Sequence, residues 1–243
     1  MRKLLICLLS AFMALAGSDP DYQITQKPST KPSTKSSSTP SGASICPDGN
    51  HPHMIDLGLL SGTKWSCCNV GANEPDATGD YYSWGETETK STYNDVSYKY
   101  STGEDTDGDG WYDKNEQYQN LGSCISGTSY DVAHVKWGGT WRMPTKEQRD
   151  ELIDNCTYSM TTVNGVKGGM FTSKKNGKSI FLPAAGNRIG TDFIDSGSRG
   201  YYWSGTQYPN NDYCAYHLYF YSRSTYSSYF LRYRGRPVRP VSE

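Results

Sequence analysis

Residues 200–241 read GYYWSGTQYPNNDYCAYHLYFYSRSTYSSYFLRYRGRPVRPV, and this stretch decides how the chain is interpreted. It holds ten of the twenty tyrosines and five arginines but no lysine, and Arg199 stands just before it. Five Ser, two Asn, one Asp and one His lie among them, between a few apolar positions. Tyrosine gives contact area at low entropy cost and arginine a rigid donor fork, so this composition is typical of recognition surfaces. A tyrosine-rich antiparallel sheet without a ligand would use the same residues, because tyrosine favours strands.

The strand predicted over 215–221 indicates which of these side chains face outward. Leu218 and Phe220 share one face, which we expect to point into the core, so the alternate residues, His217 and Tyr219 among them, are predicted to be exposed. Exposed aromatic clusters generally mark interaction sites. The predicted ligand-binding residues are the polar and aromatic members of the segment, namely Tyr208, Asn210, Asn211, Asp212, Tyr213, His217, Tyr219, Tyr221, Arg223, Tyr226, Tyr229, Arg232 and Arg234.

The rest of the chain predicts an α+β fold with long loops. The clearest helix follows Pro144, where Thr145 is the predicted N-cap and Gln148 completes a capping box. A shorter helix is predicted over 131–137. Short antiparallel strands are predicted over 54–60, 63–70, 80–84, 169–172, 179–183, 201–205, 215–221, 228–234 and 237–241.

Length and charge fit one domain with accessory segments. The chain has 243 residues and a net charge of −1, so no overall field favours nucleic acid as a partner. Charge is nevertheless uneven, with seven arginines against four acids over 186–243, and six acids against one lysine over 104–116. These local biases indicate an acidic site and a mildly basic recognition end.

The first sixteen residues have the form of a signal peptide. Arg2 and Lys3 precede an apolar run over 4–15 that is too short to span a bilayer, and Ala14 and Ala16 form a small-residue cleavage site. We therefore expect an exported protein without a transmembrane segment, located in the periplasm, in the medium or on the cell surface. Ser18 stands where a lipoprotein would carry its lipidated cysteine, so a lipid anchor is expected only if residue 18 is natively Cys.

Residues 17–45 are predicted to be a disordered linker, and residues 46–243 the folded domain. The linker repeats the tetrapeptide KPST at 27–30 and 31–34 and continues with a serine run. Such a composition cannot bury enough apolar surface to offset the entropy of ordering.

Six cysteines remain after export, and an even number permits disulfides. We expect Cys46 to pair with Cys67 or Cys68, which would tie the start of the domain to its first strands. Cys67 and Cys68 are neighbours on one predicted strand, so only one of them should face the core. The alternative is that several cysteines are buried thiols that act as small hydrophobes.

The acidic stretch over 105–116, DTDGDGWYDKNE, fits the twelve-residue calcium loop at each ligand position. Calcium takes about six to eight hard oxygen ligands, and Gly110 stands where the loop turns sharply. An acidic solvated loop is the alternative. No flanking helices are evident, so we expect a lone structural Ca²⁺ site. Its ligands would be Asp105, Asp107, Asp109, the carbonyl of Trp111, Asp113 (directly or through a water) and Glu116.

Several motifs, in order along the domain, carry a family resemblance. They are DLGLLSGTKW (56–65), NVGA (69–72), GDYYSWGET (79–87), WGGTWRMPT (137–145), IFLPAAGNR (180–188), GYYWS (200–204) and VRPV (238–241). The domain resembles the Fibrobacter succinogenes major paralogous domain of gut Bacteroidetes. Small departures stand at Leu60, Arg149, Gly205 and Pro237.

The resemblance implies a C-type-lectin-like fold, similar to that of formylglycine-generating enzymes and of the variable proteins of diversity-generating retroelements. In those variable proteins the C-terminal segment is the hypervariable ligand-binding face. Substitution at adenines there turns asparagine codons into codons for Tyr, Ser, Asp and His, which are abundant over 200–241.

The sequence predicts no catalytic site. The formylglycine-generating relatives use a pair of C-terminal cysteines, whereas the C-terminal third of this chain has only Cys214. The histidines are scattered, and neither a nucleophile elbow nor a phosphate-binding loop is present. The motifs by which lectins of this fold bind sugar through calcium are not reproduced at Trp203 or Tyr208–Asn210.

The sequence therefore favours an exported binding module whose C-terminal face holds a protein or a glycan. Two alternatives stay open. The chain could be a structural component of a surface or an appendage without a dedicated ligand, or a catalytically inactive relative of the formylglycine-generating enzymes.

Overall fold

Short strands separated by glycine-rich turns build the part of the chain that can be described. The structure is a computed structural model, and it describes residues Met54–Glu243, which lie within one compact unit, Cys46–Glu243. The predicted signal peptide (1–16), the predicted linker (17–45) and Cys46, with its predicted disulfide, lie outside the described residues. Within 54–243, no helix has both the length and the apolar character needed to cross a membrane.

Thirteen strands form five small sheets in the described residues, and each pairing of named strands is antiparallel. The sheet orders are β1-β2-β13, β3-β4, β5-β6-β7, β8-β9 and β10-β11-β12. The strands are β1 (Met54–Asp56), β2 (Lys64–Ser66), β3 (Ser101–Glu104), β4 (Lys114–Tyr118), β5 (Cys156–Val163), β6 (Val166–Ser173), β7 (Ser179–Pro183), β8 (Asn187–Ile189), β9 (Asp192–Ile194), β10 (Gly200–Gln207), β11 (Cys214–Tyr221), β12 (Ser224–Leu231) and β13 (Val241–Ser242).

Two helices complete the described fold, and both begin at the caps that the sequence predicts. Helix α1 (Val132–Trp137) begins after Asp131, whose side chain accepts hydrogen bonds from the first-turn amides. Helix α2 (Lys146–Asn155) begins with the predicted capping box between Thr145 and Gln148. With many short antiparallel strands, these helices confirm the α+β class.

Two packed cores hold the sheets together. The first joins α2 to the inner faces of β5–β7 and β10–β12, and it includes Leu152, Phe171 and Phe220. The second packs Trp84, Trp203 and the α1 residues against the loops that follow β2. Because β10 contributes Tyr202 to the first core and Trp203 to the second, the β10–β12 sheet is buried on both faces along part of its length.

Several predicted strands differ from the structure. The predicted strand over 80–84 is an irregular segment with one bridge from Tyr82 to Arg236, and the strand predicted over 228–234 is replaced by β12, which ends at Leu231. The prediction for Cys67 and Cys68 was also wrong. The chain bends after β2 instead of continuing as a strand, so both cysteines are buried, with their Sγ atoms 3.4 Å apart.

Candidate functional site

A row of tyrosine rings crosses the outer end of the β10–β12 sheet. Tyr201 on β10 lies opposite Tyr219 on β11, which in turn lies opposite Tyr226 on β12. The ring centroids are 5.0 Å apart for Tyr201 and Tyr219 and 6.2 Å apart for Tyr219 and Tyr226. Tyr221 extends the row, with its centroid 5.7 Å from that of Tyr219 and its hydroxyl 3.4 Å from that of Tyr226. We call Tyr201, Tyr219, Tyr221 and Tyr226 the tyrosine ladder.

The ladder is accessible because the layer that covers this face of the sheet stops short of it. Further along β11, the same face is covered by Trp203 and by the guanidinium of Arg236, whose Cζ lies 4.3 Å from the indole centroid of Trp203. Tyr201 and Tyr219 stand at the boundary and are half-buried, whereas Tyr226 is 38% exposed. The result is a tightly stacked aromatic platform, fixed at one end and open at the other.

A charged pair holds the inner end of the ladder. The hydroxyl of Tyr201 donates to Asp195 Oδ2 over 2.6 Å, and Arg199 Nη1 lies 3.6 Å from the same oxygen. Burial, reinforced by the Asp195 carboxylate, raises the pKa of Tyr201, and burial likewise raises the pKa of Tyr219. These two phenols stay neutral near pH 7. The hydroxyl of Tyr201 uses its donor on Asp195 and keeps acceptor capacity.

Part of the predicted binding set lies on the opposite face of the sheet. Tyr229 is stacked on Tyr208 with centroids 3.7 Å apart and planes 9° apart, and both rings contact Tyr216 edge-on. Lys146 and Arg149 of α2 lie against the other side of this cluster, over the ring of Tyr216. The two tyrosine clusters occupy different faces, so the predicted residues do not form one continuous surface.

The loop residues of the predicted set lie between these clusters and the acidic hairpin. Asn210 and Asp212 are exposed, whereas Asn211 accepts the amide of Tyr213 through its side chain. Tyr213 packs edge-on against Tyr118 with centroids 4.8 Å apart. Arg223 is exposed in the β11–β12 turn, at the open end of the ladder.

The predicted exposure of His217 was wrong. The imidazole is only 2% exposed and lies opposite Trp203 in the sheet, under the layer that includes Arg236. His217 does alternate with Leu218 along β11, as expected. The prediction failed because the second face of the sheet is covered here, whereas in antiparallel sheets it is commonly solvated. Burial, with a smaller contribution from the positive charges of Arg236 and Arg149, lowers the pKa of His217 well below its usual value.

Arg232 and Arg234 are also buried and do not belong to an exposed face. Arg232 donates from Nε to the hydroxyl of Tyr98 and from Nη1 to the carbonyls of Gln119 and Asp212. Arg234 donates from Nη1 to Asn187 Oδ1 over 3.2 Å. The chain turns inward after Leu231, so these guanidinium groups join segments of the fold. Composition alone could not distinguish such internal arginines from arginines that contact a ligand.

The acidic stretch forms the connection of the β3–β4 hairpin. Asp105, Asp107 and Asp109 bring carboxylate oxygens within 4.8 Å of one another. Their positions are fixed by the backbone, since Asp105 accepts amides of Gly108 and Gly110 over 2.9 and 3.0 Å. Gly110 has φ of +90°, as the predicted turn requires. Carboxylate oxygens so placed are hard ligands of the kind that calcium prefers.

The other predicted calcium ligands lie apart from this cluster of three aspartates. Asp113 Oδ2 accepts the amide and the hydroxyl of Thr106. Glu116 lies on β4, where its carbonyl accepts the hydroxyl of Tyr213 over 3.1 Å. The ring of Trp111 packs edge-on against Tyr233, with centroids 5.1 Å apart. The loop tip thus packs on the C-terminal segment. The loop is flanked by strands β3 and β4, whereas the sequence predicted only that no helices flank it.

Sequence reasoning missed three residues of the ladder and its support, Tyr201, Asp195 and Arg199. Tyr201 could have been predicted. Side chains alternate along a strand, so the neighbour of the buried Tyr202 must lie on the other face of the sheet, which is the face of Tyr219. The sequence did not indicate that Asp195 supports Tyr201. That role depends on a left-handed backbone conformation, with φ of 62°, in the turn after β9.

Comparison of the chain with protein-family models, with curated proteins and with solved structures gives no significant match.

Proposed function

We propose that the chain is an exported binding module of the C-type-lectin-like fold whose tyrosine ladder holds a protein ligand. The observation that carries this proposal is the stacking of four tyrosine rings, Tyr201, Tyr219, Tyr221 and Tyr226, at an accessible end of a sheet that is otherwise covered on that face. Rings fixed by stacking lose little entropy when a ligand binds.

A protein ligand suits the ladder better than a small molecule. Arg199, which is half-exposed at 39%, lies at the inner end of the ladder, and Arg223, which is exposed, lies in the turn at its open end. Tyrosine and arginine together are enriched among the residues that dominate protein–protein binding. Asn210 and Asp212, exposed in the preceding loop, supply hydrogen-bonding groups at the rim.

The distribution of exposed and buried positions in residues 200–241 also supports the hypothesis that a retroelement diversifies this segment. Tyr221, Tyr226 and the β11–β12 turn lie at the open end of the ladder, where substitutions would leave the core undisturbed, whereas Phe220, Arg232 and Arg236 are buried. A reverse-transcriptase gene beside a near-copy of the DNA for 200–241, differing at adenines mainly in codons for exposed residues, would support active diversification. Differences spread equally over buried codons would argue against it.

We also propose a structural Ca²⁺ in the β3–β4 loop, held first by Asp105, Asp107 and Asp109. The chemistry of the donor set supports it, because three carboxylates converge within 4.8 Å and would repel one another without a cation. The ion would hold the loop that carries Trp111 against Tyr233. No redox or hydrolytic role is assigned to it.

The binding proposal is tested by capture on a panel of cell-surface and host proteins. Protein with Tyr226→Ala or Tyr221→Ala should be captured at least about tenfold more weakly than wild type. Tyr208→Ala, which removes a ring from the opposite face, is the matched control and should be captured normally. Equal capture of all four proteins would favour the structural-component hypothesis.

A further inference from the structure

A concave surface lies beside the β8–β9 hairpin and contains none of the four ladder rings. The hairpin and the segments around Thr78–Tyr81 and Thr89–Tyr93 enclose a cleft of about 540 Å³. This volume falls within the range of about 300–1,000 Å³ that is usual for small-ligand sites. We call it the hairpin cleft. Its lining includes the charged residues Asp80, Lys90 and Arg188 and the rings of Tyr81 and Phe193.

An exposed aromatic ring forms one wall of the hairpin cleft. Phe193 is 57% exposed, more than any other aromatic side chain among the large exposed hydrophobics of the described residues. One side of the ring is covered by the guanidinium of Arg188, whose Cζ lies 4.6 Å from the ring centroid. The ring of Tyr81 lies nearly perpendicular to it, with centroids 5.4 Å apart and planes 80° apart. Phe193 is thus held in place although it faces solvent.

The support under Phe193 is itself anchored. Arg188 lies between two rings, with Cζ 4.9 Å from the centroid of Tyr93. Its Nη2 donates to the carbonyls of Ser91 and Thr191 over 2.9 and 3.2 Å. Since the Nη1 and Nη2 groups of Arg188 donate to backbone carbonyls, this residue positions the ring and joins the hairpin to the facing loop. The aromatic wall is preorganised, which lowers the entropy cost of binding.

The cleft also has a polar lining, which includes one carboxylate, that of Asp80. Asp80 Oδ2 accepts the hydroxyl of Tyr82 over 3.0 Å, which leaves Oδ1 without a hydrogen-bond partner among residues 54–243. A side chain on Gly71 would clash with this carboxylate, so the backbone is shaped to leave it room. Hydroxyl groups of Thr78, Thr89 and Ser196 complete the polar lining.

We propose that the hairpin cleft binds a neutral saccharide ring. A sugar presents an apolar C–H face that stacks on an aromatic ring, and hydroxyl groups that donate to a carboxylate and exchange hydrogen bonds with hydroxyls. A cleft lined by an exposed ring, a carboxylate acceptor and several hydroxyls matches both properties. Lys90 and Arg188 also line the cleft, but Lys90 is paired with Glu86 and Arg188 donates to backbone carbonyls, so both cations are already engaged within the protein. The site differs from the ladder but adjoins it, since Ser196 lines the cleft and Asp195 supports Tyr201.

The test uses an array of immobilised neutral mono- and oligosaccharides built from hexoses and N-acetylhexosamines, with purified protein. Wild type should be retained on a subset of these sugars. Phe193→Ala should weaken retention by about tenfold, because stacking area is lost, while Phe193→Trp should preserve it. Asp80→Asn should weaken retention as well, since the acceptor loses its charge. Phe193 is exposed, so its variants should fold normally, and melting curves confirm this.

Tyr226→Ala separates this proposal from the binding proposal for the ladder, because it should leave sugar retention unchanged. The cleft proposal is overturned if folded wild type retains none of the sugars. It is equally overturned if retention survives Phe193→Ala, or if retention is lost in Tyr226→Ala alone. In the last case the sugar would bind at the ladder. Capture of proteins through Phe193, with no sugar retained, would also overturn it.

Discussion

The imidazole of His217 lies edge-on against the indole of Trp203, with ring centroids 6.0 Å apart and planes 88° apart. The two residues are directly opposed on neighbouring strands and are 2% and 1% exposed. A titratable base is thus enclosed between the sheet and the layer that contains Arg236. His217 lies between the covered part of this face of the β10–β12 sheet and the accessible tyrosine ladder.

This enclosure predicts that the protein loses stability on mild acidification. Burial lowers the folded-state pKa of His217, so between the folded and unfolded pKa values the unfolded state binds the extra proton. The contribution to stability is complete above about pH 6.5 and falls by about 1.4 kcal/mol for each pH unit below it. Denaturant unfolding of wild type and His217→Phe from pH 7 to 5.5 measures this. The slope should shrink in His217→Phe but not in the control, His134→Phe, and equal slopes in all three would contradict the prediction.

Arg232 and Arg223 should behave differently although the sequence assigns both to the binding face. Arg232 is fully buried and donates to two carbonyls, whereas Arg223 is exposed in a turn. Arg232→Ala should destabilise the fold by about 3–5 kcal/mol, because carbonyls lose their donors and a large cavity opens. Arg223→Ala should stay within about 0.5 kcal/mol of wild type. Chemical denaturation compares them, and equal stabilities would show that Arg232 is not structural.

Phe220 should be among the most costly side chains to truncate. Its ring lies between Tyr202 and Phe171, with both centroid distances at 6.0 Å, and it covers Gly200 closely. Phe220→Ala should lower the free energy of unfolding by about 3–5 kcal/mol. Tyr226→Ala on the same hairpin is the control and should cost about 1 kcal/mol or less, since that ring is partly exposed. Thermal melts of the two variants give the comparison.

Calcium should stabilise the protein through the β3–β4 loop. At a hundredfold excess over the dissociation constant, one site contributes about 2.7 kcal/mol, so the melting temperature should rise with calcium and fall with a chelator. Asp109→Asn should remove most of this response, because one of three converging carboxylates loses its charge. Asp154→Asn, at an exposed helix position, should keep it. A melting curve that ignores both calcium and chelator would refute the site.

The sequence predicted local structure better than it predicted exposure. The capping box at Thr145 and the inward faces of Leu218 and Phe220 are confirmed, because caps and alternation depend on neighbours in the chain. The burial of His217 and Arg232 depends on the segment after Leu231 folding back over the sheet. A local sequence pattern cannot predict such a tertiary contact. The hairpin cleft escaped prediction for the same reason, since its walls are over 100 residues apart in sequence.

The central claim is that the tyrosine ladder serves binding and not the core. The most direct measurement reads melting temperature and capture on the protein panel together for Tyr219→Ala, Tyr221→Ala and Tyr226→Ala, with Tyr208→Ala as the opposite-face control. The account predicts that the three ladder variants melt close to wild type, within about 1.5 kcal/mol of its stability, and lose capture. Ladder variants that melt far below wild type, or that melt normally and are captured as well as the control, would contradict it.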